Sequence, residues 1–188
     1  MKKKSILVTA PSGAGKTTLV KKLLLDFPYL EFSISAATRE PRDHEKNGTN
    51  YHFMTEKEFL EKRENNEFLE WEEVYKGSLY GTPNSELNKI YDLGKIPIFD
   101  IDIMGAMSLK KLLCTDVLSI FIAAPSLQVL EERLRNRHSE TEERIQTRLN
   151  KATSEMKFAN FFDKKIVNDE LEVAYAELKK IVSLYLEG

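Results

Sequence analysis

Residues 10–18, Ala10-Pro11-Ser12-Gly13-Ala14-Gly15-Lys16-Thr17-Thr18, constrain this chain more than any other segment. They follow directly on an apolar run, Ile6-Leu7-Val8, and lead directly into a helical pattern, Leu19, Val20, Leu23, Leu24. That strand–loop–helix succession is the context a phosphate-binding loop requires. Gly13 and Gly15 allow the backbone to wrap round a phosphate with successive N–H groups turned inward. The following helix offers its N-terminal partial positive charge to the same anion. Lys16 supplies a full charge able to reach the β- and γ-phosphates, and Thr17 a hydroxyl for a magnesium ion. One position departs from the G-x-x-x-x-G-K-[ST] pattern: Ala10 stands where glycine is usual. Alanine adds only a Cβ, which the loop accommodates if φ there is negative.

The rest of the chain supplies a core around that loop. Five short apolar, β-rich runs, at 5–10, 32–36, 96–102, 119–124 and 165–168, alternate with helical patterns. The alternation predicts an α/β fold with a mainly parallel sheet. A last helix from about Glu170 to Leu186 carries a packing stripe of Leu171, Ala174, Tyr175, Leu178, Ile181, Val182 and Tyr185. Ser126 is placed to cap a helix, and Thr55-x-x-Glu58 and Ser139-x-x-Glu142 have capping-box form. Two polar stretches interrupt the rhythm, 37–84 and 137–143. The first reads as a small substrate-binding subdomain and the second as a lid.

Composition excludes several classes. With 28 Lys plus Arg against 30 Asp plus Glu, no global field favours nucleic acid or an anionic membrane. The apolar run behind Met1-Lys2-Lys3-Lys4 is too short for a cleavable signal or a membrane span. A single cysteine, Cys114, cannot form an internal disulfide and is read as a small buried hydrophobe, which fits a reducing cytoplasm. The three histidines are scattered, and no Cys/His spacing suggests zinc.

Several polar residues are placed for chemistry. Asp100 and Asp102 share a face at the carboxyl end of Ile98-Phe99-Asp100-Ile101-Asp102, where an aspartate can hold magnesium or its water shell. The alternative is that one of them caps the next helix near Gly105. Arg39 and Arg42, three apart on a turn, suit a phosphate that accepts bidentate bonds, with Tyr51 and Tyr80 as neutral donors. Glu70, flanked by large apolar residues in Phe68-Leu69-Glu70-Trp71, is expected to be partly buried and to need donors. Guanine provides them through N1–H and its 2-amino group, while Ser35 and Thr82 are candidate donors to O6. Adenine has no N1–H, so a carboxylate facing N1 rejects it. Trp71 is read as hydrophobic packing. The pairs Arg133/Arg137 and Arg144/Arg148 each share a helix face on either side of the charged break, and Arg137 and Arg148 are best placed to close over a moving phosphoryl group.

Together these motifs resemble guanylate kinase over essentially the whole chain. The matching pieces are residues 10–18, Ser-x-x-Thr-Arg-x-Pro-Arg (35–42), Gly-x-x-Tyr-x-Phe (48–53), Glu-Phe-Leu-Glu-Trp (67–71) and Tyr-Gly-Thr (80–82). They continue with Asp-Ile-Asp (100–102), Arg-x-x-x-Arg (133–137), Glu-Thr-Glu-Glu (140–143) and Ile-Val-Asn-Asp (166–169). The resemblance implies a P-loop nucleoside-monophosphate-kinase fold with a mainly parallel five-stranded core sheet flanked by helices. It implies a core at 1–34, 85–136 and 146–188, a GMP-binding subdomain at about 35–84 and a lid at about 137–145. The implied reaction is reversible transfer from ATP to GMP or dGMP with Mg²⁺. By the same resemblance Ser35, Glu70, Thr82 and Asp102 read guanine, and Arg39, Arg42, Tyr51 and Tyr80 hold the GMP phosphate. Residues 10–18, with Lys16 and Thr17, hold ATP; Asn168 lies near adenine; Asp100 belongs to the magnesium shell; Lys16, Arg39, Arg137 and Arg148 serve catalysis. Thr82 stands where the family often has serine. Two alternatives stay open: a non-catalytic binding module of the same fold, and a kinase for another nucleoside monophosphate. Oligomeric state is left undetermined.

Overall fold

A strand covered by helices on both faces is apolar on both faces, and Ser5–Thr9 forms such a strand, β1, buried at every position. In the computed structural model, which describes residues 4–43, 45–136 and 142–188, the chain runs from β1 through the loop carrying Gly13 and Gly15 into α1 (Lys16–Asp26) and β2 (Leu30–Phe32). It then leaves the core for β3 (Ala36–Ala37), β4 (His52–Phe53), α2 (Glu56–Glu64), β5 (Phe68–Tyr75) and β6 (Ser78–Pro83). It returns through α3 (Asn84–Asp92) to β7 (Ile96–Asp100), α4 (Ile103–Leu113) and β8 (Val117–Ala123). There follow α5 (Leu127–Arg135), α6 (Glu142–Glu155), β9 (Lys164–Val167) and α7 (Leu171–Glu187), with short 3-10 helices at Cys114–Asp116 and Met156–Phe161.

The core sheet has the order β2-β7-β1-β8-β9, and all its neighbouring pairs are parallel. Side chains alternate between its faces. Ile6, Val8, Ile98 and Ile120 join Leu19, Leu23 and Leu178 in one buried cluster, whereas Leu7, Phe99 and Phe121 join Ile103, Leu109 and Phe162 in the other. Each fully buried side chain of this size contributes about 1.5–3 kcal/mol, against about 1 kcal/mol for a helix cap. Packing therefore fixes the sheet, and the caps set where helices begin. Ser126 caps α5 through Val129 N at 3.2 Å, and Thr55 and Glu58 form both bonds of a capping box on α2.

A second, mixed sheet has the order β4-β3-β6-β5, with β3–β4 parallel and the other pairs antiparallel. It spans Ala36–Pro83 and has its own small core, where Phe59 of α2 stacks on Phe68 with ring centroids 4.4 Å apart.

Four expectations need correction. The alternating run at 32–36 is not one strand: β2 ends at Phe32, Ser33 N bonds to Ile98 O at 3.0 Å, and the chain crosses between the sheets before β3. Alternation alone does not specify a pairing partner. Asp102 lies past the end of β7 and caps α4 through Gly105 N at 2.9 Å. Trp71 is 41% exposed on the outer face of β5, with the Arg63 guanidinium 4.9 Å from its ring centre. Cys114 is exposed rather than buried, because α4 ends there with φ at 50° as the chain turns toward β8. Of the break at 137–145, residues 137–141, with Arg137 and Ser139, lie outside the described residues, and 142–145 form the first turn of α6.

Candidate active site

In a parallel sheet the ligand crevice opens at the carboxyl ends of the central strands. The loop after β1 and the end of β7 meet there, at one side of a cleft of about 770 Å³. Gly13 and Gly15 take φ of 92° and 91°, in the left-handed region that glycine enters without penalty. Among the described residues only Asn66 and Cys114 are non-glycines with positive φ, so Ala10 occupies a position where a Cβ is allowed. α1 has no side-chain cap and no acidic residue in its first turn, which leaves its N-terminal dipole facing the cleft. Lys16 pairs with Asp100 and donates to Ile101 O at 2.9 Å; Thr17 Oγ1 donates to Asp100 Oδ2 at 3.2 Å.

Asn168 sits behind the loop. It is buried, and its Nδ2 donates to Ala14 O at 2.8 Å. A Cβ on Gly15 would overlap that Nδ2, so the glycine permits both the left-handed turn and the asparagine's approach. Arg133 locks the same corner by donating to Asn168 O and Asp169 O at 2.9 and 3.1 Å.

The second sheet forms the opposite wall. Arg39 Nε donates to Tyr80 Oη at 2.9 Å, and its two terminal nitrogens donate to Glu45 at 2.6 and 2.7 Å. The Arg39 guanidinium also lies 5.0 Å from the Tyr51 ring centre, and Tyr51 meets Tyr80 edge to face. Burial pushes the Tyr51 phenol up to about 12, so it stays protonated as a donor. Arg42 lines the cleft from an exposed position, and its backbone N–H bonds Glu45 Oε2 at 2.9 Å. Ser35 lines the cleft from a buried position.

Glu70 is 8% exposed and faces the cleft from β5. Thr82 Oγ1 donates to its Oε1 at 2.5 Å. Thr82 is fully buried and stands one layer back, so its hydroxyl orients Glu70. Burial pushes the Glu70 carboxyl up to about 7; the charges on Asp102 and Glu72 add to this and the Thr82 hydroxyl opposes it.

α6 closes the third side. Arg148 Nη1 donates to Ser12 Oγ at 3.4 Å, directly over the loop. Lys151 donates to Val74 O at 3.0 Å and lies 4.5 Å from the Tyr75 ring centre, which joins α6 to the tip of β5. Glu155 lines the cleft 3.7 Å from Lys151, and burial raises its carboxyl above the ordinary range. Lys151, Glu155 and Glu45 are site residues that sequence reasoning missed. Arg148, Lys151 and Glu155, spaced three and four apart on one helix face, carried a readable signal. Glu45 carried none, because its partner is brought to it by a turn.

A family model described as guanylate kinase matches residues 2–185. The guanylate kinase of Porphyromonas gingivalis is 42% identical over 184 residues, covering 97% of this chain and 98% of that protein. That of Bacteroides thetaiotaomicron is 45% identical, covering 97% and 90%. The crystal structure of guanylate kinase from Anaplasma phagocytophilum superimposes with a TM-score of 0.79 at 30% identity, over 97% of this chain and 85% of that one. The cleft, the fold and these likenesses agree, and the chain belongs to the guanylate kinase family.

Proposed function

We propose that this chain transfers the γ-phosphoryl group of ATP to GMP, and to dGMP, giving ADP and GDP or dGDP. The observation that carries the reading is one cleft with a phosphate-binding loop on one wall and a buried carboxylate beside an arginine–tyrosine cluster on the other. Residues 10–18 would hold the ATP phosphates. Arg39, Arg42, Tyr51 and Tyr80 would hold the GMP phosphate. Glu70 would accept from guanine N1–H and the 2-amino group, with Asp102 and Ser35 beside it and Thr82 fixing its orientation. Asn168 would lie near the adenine and brace the loop through Ala14 O.

An oxygen of the GMP phosphate attacks the γ-phosphorus in line, and the bond to the bridging oxygen of ADP breaks. The transition state needs positioning and charge neutralisation, not a covalent nucleophile. Lys16 would follow the β- and γ-phosphates, with Arg39 on the acceptor phosphate and Arg148 above the loop. Arg137 is assigned a similar role from its motif alone. Thr17 and Asp100, one hydroxyl and one carboxylate 3.2 Å apart, suit Mg²⁺, which takes one or two protein oxygens and completes its shell with phosphates and water. Magnesium when bound would neutralise charge on the transferring phosphates.

The core would comprise 1–34, 85–136 and 146–188, the GMP-binding subdomain about 35–84 and the lid about 137–145. A cytoplasmic location fits this role, and no helix among the described residues is long and apolar enough to cross a membrane. The test is direct detection of GDP from ATP and GMP, with and without chelator. Magnesium-dependent GDP formation supports the reading; ATP hydrolysis indifferent to GMP would refute it.

A further inference from the structure

Gly105 lies in the first turn of α4, where its N–H bonds the capping Asp102. Glycine is the poorest helix former after proline. It is absent from the glycines with positive φ, which are Gly13, Gly15, Gly48, Gly77 and Gly94, so no turn demands it. What excludes a side chain here is Glu70. A Cβ built on Gly105 would overlap Glu70 Oε2 and stand 3.1 Å from its Cδ. β5 runs along α4 at this point, with Glu70 against Gly105 and Glu72 bonded to Ser108 almost one turn further on. The Glu70 carboxylate is thus held between the Thr82 hydroxyl on one oxygen and the bare Cα of Gly105 beside the other.

We propose that Gly105 is a specificity-determining positioning residue, whose missing side chain is the seat that aims Glu70 at the base of the acceptor nucleotide. The inference rests on the reading of Glu70 as the guanine contact. α4 is anchored by Ile103, Ala106 and Leu109, all buried, whereas the atoms a methyl group would meet are the far end of one side chain. The helix therefore stays and the carboxylate moves. A displaced carboxylate no longer meets N1–H and the 2-amino group together, so the loss falls on guanine recognition and not on ATP.

The test uses the full-length protein with Gly105→Ala, Glu70→Ala and the double substitution. Gly105→Ala is expected to raise KM for GMP about 10- to 100-fold, with KM for ATP within about twofold and melting essentially unchanged. Glu70→Ala alone is expected to raise KM for GMP at least as much. In the double variant, adding Gly105→Ala is expected to cost nothing more, because the group the methyl would meet is gone. A folded Gly105→Ala protein with wild-type KM for GMP would overturn the seat while leaving the Glu70 reading intact, and so would independent, multiplying effects in the double variant. Unchanged KM for GMP in Glu70→Ala would overturn the Glu70 reading and the seat with it. If Gly105→Ala fails to fold, folding of the double variant supports the collision, and its failure contradicts it.

Discussion

Arg39 and Glu45 face each other fork to fork, with both terminal guanidinium nitrogens on the two carboxylate oxygens at 2.6 and 2.7 Å. The Arg39 bonds hold the Glu45 carboxyl down at about 2, and the Arg42 backbone N–H strengthens this. A carboxyl lowered in the folded state stabilises the fold above its unfolded value and loses that contribution as pH falls toward the folded one. The pair's contribution should therefore be complete above pH 4.5 and vanish between 4.5 and about 2. Glu45→Gln should cost about 1.5–3 kcal/mol at neutral pH. Denaturant unfolding at stepped pH would check this: the gap from wild type should close only in the acid window.

Glu70 behaves in the opposite sense. Its carboxyl is raised from 4.5 to about 7, so the folded apo protein binds a proton that the unfolded chain releases. Stability from this group therefore declines as pH rises from 4.5 to about 7, by about 3 kcal/mol at most. Glu70→Gln should melt higher than wild type at pH 8, and the difference should disappear near pH 4.5. In the proposed binding mode guanine requires the ionised form, so KM for GMP should rise as pH falls below about 7, by up to about tenfold per pH unit. KM for ATP should not follow. Glu70→Gln should flatten that profile and raise KM for GMP throughout, which separates the effect from titration of the GMP phosphate.

Lys16 connects the loop to Asp100 and Ile101. In the proposed reaction its ammonium would follow the transferring phosphates. Lys16→Ala should lower kcat by about 10²–10³-fold while GMP binding stays measurable by calorimetry. Loss of GMP binding alone would mean that the acceptor and donor walls have been exchanged.

Asn168 is 4% exposed, and its amide is bonded to Ala14 O inside the loop. Asn168→Ala leaves that carbonyl without its partner and opens space beside Gly15. The expected cost is about 1–3 kcal/mol of stability together with a raised KM for ATP and an unchanged KM for GMP. Steady-state kinetics with each substrate varied in turn would separate the two.

Legibility followed the range of the interactions. The loop at 10–18 and the strand before it were readable because glycine, lysine and periodicity act over a few consecutive residues. The crossing at Ser33–Ser35 was not, since alternation is satisfied whether or not a neighbouring strand accepts the bonds. Trp71 and Cys114 are exposed where burial is expected, because hydrophobic character does not say which side of a β-ribbon or helix end faces water. Asp102 caps α4 just beyond the end of β7 at Asp100 and also lines the cleft, so the cap leaves its expected place beside the base open. Glu45 and Gly105 gain their meaning from Arg39 and Glu70, partners brought by a turn and by a packed helix.

Selection of guanine by Glu70, with ATP as the phosphoryl donor, is the proposal on which the other predictions rest. It is tested most directly by kcat/KM across GMP, dGMP, AMP, CMP, UMP and dTMP, with ATP and magnesium held constant. GMP and dGMP should turn over, with rates for AMP and the pyrimidine nucleotides lower by about 10⁴-fold or more. Rapid turnover of AMP with none of GMP would contradict it.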